Sequence, residues 1–290
     1  MIKELKFVSQ LEFERYQEDG FIVKENLLSL KQVEAVKEAF RIMVATYGPD
    51  RNRADLIAGS SGAIMGGAWI KKKNDPLCIQ LEAGQTPAID DLEKLELQVR
   101  KFMWFEKEAP IFQEILRPDS PMQTIVADLI SDSPLLYQSL ALIKPPKIGS
   151  TKPWHQDNAY FSVKPLESIC GVWIAIDEAT VQNGCMHMLR GQHKVGPLVH
   201  EHKRDCEINV RKLDLGTLHP VPLKPGSALF FNGMIPHETP PNRSDYRRRA
   251  LQFHFRGSRS EILPGLEYDA VFKDANGQPA SCEAVRRGGF

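Results

Sequence analysis

The chain has 290 residues, and its 37 Lys and Arg residues balance its 37 Asp and Glu residues, so the formal net charge at pH 7 is zero. This balance argues against a general polyanion binder, and we expect no nucleic-acid partner. The five cysteines are scattered and include no Cys-x-x-Cys pair, which favours reduced thiols over a disulfide framework or a zinc-cysteine site. The sequence has no apolar run of about 18 residues, so we expect a cytoplasmic, unexported protein with no membrane partner.

The chain opens with mixed helix and strand signals. Residues Leu11 to Asp19 have helical spacing that stops at Gly20. Phe21-Ile22-Val23 is typical of a short strand, and Leu30 to Thr46 has the spacing of an amphipathic helix.

Residues 47–85 are rich in glycine and charge, and we expect an irregular or mobile segment that helps to select the substrate. Helical patterns follow at Asp90 to Glu106 and at Pro121 to Ser131. Residues 1–134 are therefore expected to form a mostly helical flank.

From Leu135 the pattern changes to short apolar runs bounded by Pro, Gly, Asn and Asp, which is typical of a β-sandwich or barrel. The fold class is therefore α+β and mainly β, with N-terminal helices packed outside a double-sheet core over residues 135–258 and a C-terminal extension at 259–290. Because no linker-like segment separates the two halves, we expect one domain over residues 1–290.

The stretch PWHQDN places His155 and Asp157 two residues apart. In a strand these side chains lie on the same face, about 7 Å apart along the backbone, where both can bind one ion. A single His-x-Asp is a weak signal, since two exposed polar groups on a surface strand have the same spacing.

A second segment strengthens the metal interpretation. The run from Gly226 to His237 predicts a buried strand that ends in a histidine. Two imidazoles and one carboxylate on a β scaffold form the facial triad of non-haem iron(II) oxygenases, whereas a closed zinc site needs a fourth protein ligand. The sequence shows no fourth ligand with matching spacing.

Arg248 lies eleven residues beyond His237, at the start of a strand-like run. With a period of two, Arg248, Ala250, Gln252 and His254 share one face, and residues 249, 251, 253 and 255 share the other. If the first face lines the interior, Arg248 presents a fork suited to a carboxylate. Spacing alone does not choose between Arg248 and the neighbouring arginines 243, 247 and 249.

These motifs, in this order, resemble the phytanoyl-CoA hydroxylase (phytanoyl-CoA dioxygenase) family of iron(II)- and 2-oxoglutarate-dependent oxygenases. The segments EDGFIVKENLLS and GVWIAIDEATVQNGCMHMLRGQHKVG resemble the family's opening strand and central segment. Gln192 departs from the family pattern, in which a Gly-Ser-His is more usual, and we expect this to alter local packing only.

The resemblance implies a double-stranded β-helix, which is a cupin-like jelly roll, and it implies roles for individual residues. His155, Asp157 and His237 would bind Fe(II) and, with Arg248, form the catalytic set. Arg248 would bind the C5 carboxylate of 2-oxoglutarate. The other implied cosubstrate contacts are Thr239, Trp173, Leu140 and Arg100, with Lys101 as an alternative to Arg100.

The implied activity is hydroxylation of an unactivated C–H bond in a small organic molecule, with 2-oxoglutarate and O2 as cosubstrates and succinate and CO2 as co-products. Asp157 favours hydroxylation over halogenation, because related halogenases replace this carboxylate with a small residue. Desaturation and ring closure use the same triad. Two alternatives from other classes are a zinc-dependent hydrolase on a cupin-like barrel and a non-catalytic ligand-binding barrel.

The remaining histidines have simpler interpretations. We expect His187 and His193 to be structural and His200, His202 and His219 to lie in loops.

Overall fold

Serine caps fix the starts of the main helices. A computed structural model describes residues 5–59, 66–203 and 205–282. In it, the first helix begins after Ser9, whose hydroxyl accepts a hydrogen bond from the backbone N–H of Glu12, and it ends at Gly20. Gly20 has a φ of 88°, a left-handed conformation that favours glycine. Ser29 and Gln32 form the same reciprocal capping box at the second helix.

The described α-helices are α1 (Gln10–Asp19), α2 (Leu30–Tyr47), α3 (Leu92–Gln98), α4 (Pro110–Leu116), α5 (Pro121–Ile130) and α6 (Gly265–Tyr268). The predicted helices at Leu11 to Asp19, Leu30 to Thr46 and Pro121 to Ser131 are confirmed to within a residue at each end. Among the described residues, no helix combines the length and the apolar character that crossing a membrane requires.

The described strands are β1 (Phe21–Lys24), β2 (Ala54–Ile57), β3 (Trp69–Lys72), β4 (Cys78–Leu81), β5 (Val99–Met103), β6 (Pro134–Lys144), β7 (Lys152–His155), β8 (Val163–Lys164), β9 (Ile169–Ala175), β10 (Met186–Leu189), β11 (His200–His202), β12 (Cys206–Ile208), β13 (Leu218–Val221), β14 (Ala228–Asn232), β15 (His237–Thr239), β16 (Arg248–Gly257) and β17 (Glu261–Ile262).

Two antiparallel sheets organise these strands. The large sheet has nine strands in the order β1-β14-β9-β16-β6-β5-β4-β3-β2, and the small sheet has four in the order β13-β10-β15-β7. Two further two-stranded pairs, β11-β12 and β17-β8, lie outside them. The mainly β, antiparallel character predicted from Leu135 onward is confirmed.

The two faces of the large sheet have different neighbours. Leu251 and Phe253 of β16 share a buried apolar cluster with α2, α4 and α5. The alternate residues of the same sheet, such as Trp173 and Ala250, pack instead with Met186 and Met188 of the small sheet. The predicted alternation of β16 is therefore confirmed, and Arg248, Gln252 and His254 face the space between the two sheets.

The expectation that residues 47–85 are irregular is wrong where three short strands form. Strands β2, β3 and β4 continue the large sheet beyond β5, and KKKNDP spans the turn between β3 and β4. Each strand has only four residues, and charges such as Asp55 and Lys71 interrupt any apolar alternation. Pairing with a neighbouring strand therefore decides their conformation more than local sequence does. Residues 60–65 of this segment lie outside the described residues.

The helix predicted at Asp90 to Glu106 is half wrong. Helix α3 stops at Gln98, and the chain continues directly as β5, paired with β4 on one side and β6 on the other. Phe102 of β5 packs on Phe40 of α2 with ring centroids 4.9 Å apart. The apolar spacing of residues 99–103 resembles that of a helix, but pairing with a strand on each side makes this segment a strand. The flank over residues 1–134 therefore contains strands as well as helices.

The expectation of reduced thiols is wrong for one pair of cysteines. Cys206 of β12 and Cys282 of the C-terminal segment form a disulfide with a Cα–Cα distance of 5.8 Å. They are 76 residues apart in sequence, so no local motif marks the pair. The bond exists because the C-terminal segment packs over this end of the fold: the backbone N–H of Cys282 donates to the carbonyl of Ala159 at 2.9 Å. Cys78, Cys170 and Cys185 are free and buried.

Reduction of this disulfide should destabilise the protein. Closing a loop of this length restricts the unfolded chain and contributes about 4 kcal/mol in the chain-entropy model. We expect a dithiol reductant to lower the Tm by several degrees, measured by calorimetry. The double variant Cys206→Ala/Cys282→Ala is the control, because its Tm should not respond to the reductant. An equal response of both proteins would contradict the assignment.

Candidate metal centre and cavity

The two histidines of the predicted triad face each other across neighbouring strands. His155 ends β7 and His237 begins β15, and the two residues are directly paired in the antiparallel register. Their ring centroids are 4.2 Å apart. With Asp157, they place three donor atoms within 4.8 Å of one another, and all three side chains are buried. The structure therefore brings together the three residues predicted as metal ligands.

The sequence interpretation assumed that Asp157 continues the strand of His155, but in the structure it does not. It begins a short 3-10 turn, Asp157–Ala159, closed by a hydrogen bond from the N–H of Tyr160 to the carbonyl of Asp157 at 2.9 Å. The turn brings one carboxylate oxygen to 3.4 Å from Nε2 of His155 and 3.6 Å from Nε2 of His237. These distances are shorter than the spacing of about 7 Å between alternate residues of an extended strand.

Backbone carbonyls orient both imidazoles. Nδ1 of His155 lies 2.7 Å from the carbonyl of Pro153, and Nδ1 of His237 lies 3.0 Å from that of Ile235. A carbonyl only accepts hydrogen bonds, so each Nδ1 carries the proton and each Nε2 keeps a free lone pair. Both lone pairs are therefore available to a metal ion, an arrangement typical of metal-binding histidines.

Charge states in the centre suit cation binding. Burial, together with the neighbouring imidazole of His155, lowers the pKa of His237 to about 3, so this ring is neutral at physiological pH. Burial alone would raise the pKa of Asp157, but the imidazoles of His254 and His237 hold it well below its usual range. The centre thus presents an anionic carboxylate and a neutral imidazole to a cation.

A fourth buried side chain contacts the triad, and the sequence analysis gave it no role. Nε2 of His254, on β16, lies 2.8 Å from the second carboxylate oxygen of Asp157. The period-two pattern placed His254 on the inner face, but it could not show that the opposite sheet delivers a carboxylate there. His254 therefore links the large sheet to the metal centre.

A cavity of about 320 Å³ lies between the two sheets and joins the triad to Arg248. Arg248 is only 1% exposed. One of its guanidinium nitrogens donates to the carbonyl of Leu142 at 3.3 Å, and the group stacks on Trp173 with Cζ 5.2 Å from the ring centroid. Burial lowers the pKa of Arg248 to about 10, which leaves it cationic at neutral pH.

Polar N–H groups at this end of the cavity lack partners within the described chain. Nε of Arg248 and Nε1 of Trp173 are both buried without a hydrogen-bond acceptor among the described residues. Such groups are rare in folded proteins and point to a missing acceptor. The predicted residues Thr239 and Leu140 also line the cavity.

A second basic side chain is buried beside Arg248. Lys144 pairs with Arg248 across β6 and β16 and is 3% exposed. Its ammonium group donates to the carbonyls of Ser150 and Thr239. Burial and the charge of Arg248 lower the pKa of Lys144 well below its usual range. The sequence analysis missed Lys144, although it directly precedes Pro145 at the end of a predicted apolar run.

The structure distinguishes between Arg100 and Lys101. Both line the cavity, but Arg100 is tied to Glu82 at 3.3 Å and to the hydroxyl of Ser150. Lys101 has no carboxylate partner among the described residues, and its ammonium group lies 5.8 Å from the ring centroid of Trp69. A bulge where β4 pairs with β5 sets the direction of these neighbouring side chains. Lys101 is therefore the better placed of the two to meet a ligand.

The expectation that His200, His202 and His219 lie in loops is wrong: His200 and His202 lie in β11, and His219 lies in β13. His200 is not a loop residue: it lies buried in β11, and its Nε2 accepts a hydrogen bond from the backbone N–H of Gln156 at 2.9 Å. It therefore supports the residue between His155 and Asp157. His187 faces Glu238 on the other side of the small sheet, with 3.5 Å between the charged atoms.

The model of the family described as Phytanoyl-CoA dioxygenase (PhyH) matches residues 16–250. The chain belongs to this family. It is 26% identical over 272 residues to a phytanoyl-CoA dioxygenase domain-containing protein 1 homolog from Caenorhabditis elegans, a match that covers 83% of this chain and 88% of that protein. The resemblance read from the sequence is therefore confirmed.

Solved structures show the same fold at low sequence identity. EvdO2 from Micromonospora carbonacea var. aurantiaca, complexed with 2-oxoglutarate, has a TM-score of 0.61 and 22% identity, covering 90% of this chain and 96% of that chain. EctD from S. alaskensis, with bound Fe, has a TM-score of 0.62 and 17% identity, and the match covers 86% of this chain and 77% of that chain. At these identities the likeness concerns the fold.

The triad geometry predicts one tight site for a divalent cation. We expect Mn(II), an oxygen-stable probe, to bind the native protein with a stoichiometry of one, measured by titration calorimetry. Asp157→Ala should weaken binding by more than about 100-fold, since even loss of a residue that only supports a ligand costs about 10- to 100-fold. His219→Ala removes an imidazole outside the triad and is the matched control. Equal binding by Asp157→Ala and the native protein would contradict the site.

Proposed function

We propose that this protein is an iron(II)- and 2-oxoglutarate-dependent dioxygenase on a double-stranded β-helix, and that it hydroxylates a C–H bond of a small organic molecule. The observation that carries the proposal is the arrangement of one cavity, with a His-Asp-His triad on one wall and, at its deep end, a buried arginine that has no carboxylate partner among the described residues. Family membership over residues 16–250 supports the same activity.

The donor set fits ferrous iron. Nitrogen and carboxylate ligands suit this ion, and three ligands on one face leave three coordination positions open. His155, Asp157 and His237 would hold the ion from the small sheet and its adjoining turn. When bound, iron supplies the redox chemistry that couples decarboxylation of 2-oxoglutarate by O2 to oxidation of the substrate, with succinate and CO2 as co-products.

The deep end of the cavity fits the far carboxylate of 2-oxoglutarate. Arg248 places a cation in a buried region beside the basic side chain of Lys144, and the unpaired Nε of Arg248 offers a further donor. A carboxylate would neutralise the positive charge of Arg248 and accept a hydrogen bond from its Nε. The hydroxyl of Thr239, from β15 on the opposite wall, adds a neutral hydrogen-bond partner. Leu140 also lines the cavity, and Trp173 stacks on Arg248.

Lys101, rather than the Arg100 of the sequence interpretation, is proposed as the further cosubstrate contact. Its ammonium group faces the cavity from β5 without a carboxylate partner among the described residues, whereas Glu82 and Ser150 hold Arg100. The carboxylate of Asp157 occupies the position that a halide would need, which supports hydroxylation over halogenation.

Succinate formation tests this function. The purified protein is incubated in air with Fe(II), 2-oxoglutarate and a pool of candidate metabolites, and succinate and substrates that gain one oxygen are measured by mass spectrometry. We expect succinate with Fe(II) and none with Zn(II) or with the Asp157→Ala variant. Turnover with zinc in the absence of 2-oxoglutarate would favour a hydrolase, and ligand binding without any turnover would favour a non-catalytic barrel.

Loss of the arginine charge should weaken cosubstrate binding selectively. Arg248→Met keeps the volume of the side chain but removes its hydrogen bonds to a carboxylate, which contribute about 2 kcal/mol, or roughly a 30-fold rise in the KM for 2-oxoglutarate. Steady-state succinate kinetics measure this change. Arg249→Met is the control, because Arg249 lies on the opposite face and pairs with Asp177 at 2.8 Å. An unchanged KM in Arg248→Met would place the cosubstrate elsewhere.

Cosubstrate capture should also depend on pH through Lys101. Burial, followed by the charges of Lys152 and Arg100, lowers the pKa of Lys101 to about 8. The side chain is cationic below that pH and neutral above it, so kcat/KM for 2-oxoglutarate, which reports the free enzyme, should fall as the pH rises through about 8. Lys101→Arg keeps its charge and should remove this fall. The same alkaline decline in Lys101→Arg would assign the titration to another group.

A further inference from the structure

The two carboxylate oxygens of Asp157 have different surroundings. Oδ1 is turned towards the imidazoles, 3.4 Å from Nε2 of His155 and 3.6 Å from Nε2 of His237. Oδ2 is turned away from them and lies 2.8 Å from Nε2 of His254. The carboxylate therefore has one oxygen available to a metal ion and one oxygen already engaged by the protein.

The direction of this hydrogen bond follows from the chemistry of its partners. An ionised carboxylate only accepts hydrogen bonds, so Nε2 of His254 must carry the proton that it donates to Oδ2. Nδ1 of His254 is buried with no hydrogen-bond partner among the described residues, which agrees with the proton residing on Nε2.

The imidazole of His254 is itself fixed in place. The residue is 1% exposed, and its ring packs against Phe161 with centroids 4.8 Å apart. Burial and packing against Phe161 thus hold the donor where Oδ2 must lie, so the carboxylate has little freedom to rotate.

We propose that His254 is a positioning residue that restricts Asp157 to binding the metal through Oδ1 alone. A carboxylate that turned to offer both oxygens would occupy a fourth coordination position. The proposed reaction needs three open positions for its cosubstrates, so a bidentate carboxylate would compete with them. The hydrogen bond from His254 keeps the second oxygen out of the coordination sphere. This role rests on the proposed metal centre and deepens it.

Two substitutions separate donation of a hydrogen bond from simple filling of space. His254→Leu removes the donor but keeps an apolar side chain against Phe161. His254→Gln keeps an N–H donor near the position of Nε2. Each variant is compared with the native protein in Mn(II) affinity by calorimetry, in the visible absorption of the Co(II)-loaded protein, and in the Tm of the metal-free protein.

We expect His254→Leu to bind Mn(II) about 10- to 100-fold more weakly, as is typical when the hydrogen-bond partner of a ligand is removed. Its Co(II) bands should weaken and shift, because a second carboxylate oxygen raises the coordination number. His254→Gln should recover most of the affinity and the native spectrum. These spectral changes report on the ligand geometry, which a role confined to overall stability would leave unaltered.

Two outcomes would overturn the proposal. Native affinity and spectrum in His254→Leu would show that Asp157 needs no such partner, and equal impairment in both variants would show that donation of the hydrogen bond is not what matters. Failure of the native protein to bind Mn(II) would instead remove the proposed function itself. If His254→Leu does not fold, nitrogen-15 NMR of the zinc-loaded native protein decides the question: a proton on Nδ1 of His254 rather than on Nε2 would exclude the hydrogen bond.

Discussion

The structure depends on how one buried carboxylate is held. Asp157 is 4% exposed, and a charged group at such a depth needs partners that replace water. Two of its neighbours come from the small sheet, and the third, His254, comes from the large sheet. The contact between Asp157 and His254 therefore also fixes the relative position of the two sheets at the metal centre. A change in sheet packing would separate the carboxylate from its partner on the large sheet, His254.

A second constraint follows from the strand that carries His254. Strand β16 runs through the middle of the large sheet between β9 and β6, and its inner face presents Arg248 at one end and His254 six residues later. Strand β16 thus sets the distance between Arg248, which would bind the far carboxylate, and His254, which donates to Asp157. Placing functional groups on a central strand gives more accurate positions than placing them on loops. The buried charge of Arg248 has a cost in stability that a bound dianion would offset.

The parts of the site that the sequence predicted are those that depend on short-range pattern. His-x-Asp, a histidine after an apolar run and the period-two alternation of β16 are all local features. The pairing of Cys206 with Cys282 and the strands β2 to β4 are decided by contacts between distant segments, so local pattern could not show them. The choice between Arg100 and Lys101 depends on a bulge, which shifts the alternation of side chains by one residue and leaves no signature in composition.

The turn that carries Asp157 is supported from behind by the C-terminal segment. The hydroxyl of Tyr268 donates to the carbonyl of Asn158 at 2.8 Å, and the N–H of Cys282 donates to that of Ala159 at 2.9 Å. The backbone of each residue that follows Asp157 in the turn is thus bonded to a segment that lies beyond residues 16–250, the part matched by the family model. The disulfide ties this segment covalently to β12, beside the cavity. The ligand geometry therefore depends on residues outside the family match as well as on the triad itself, because a 3-10 turn of three residues has too few internal hydrogen bonds to hold a carboxylate by itself.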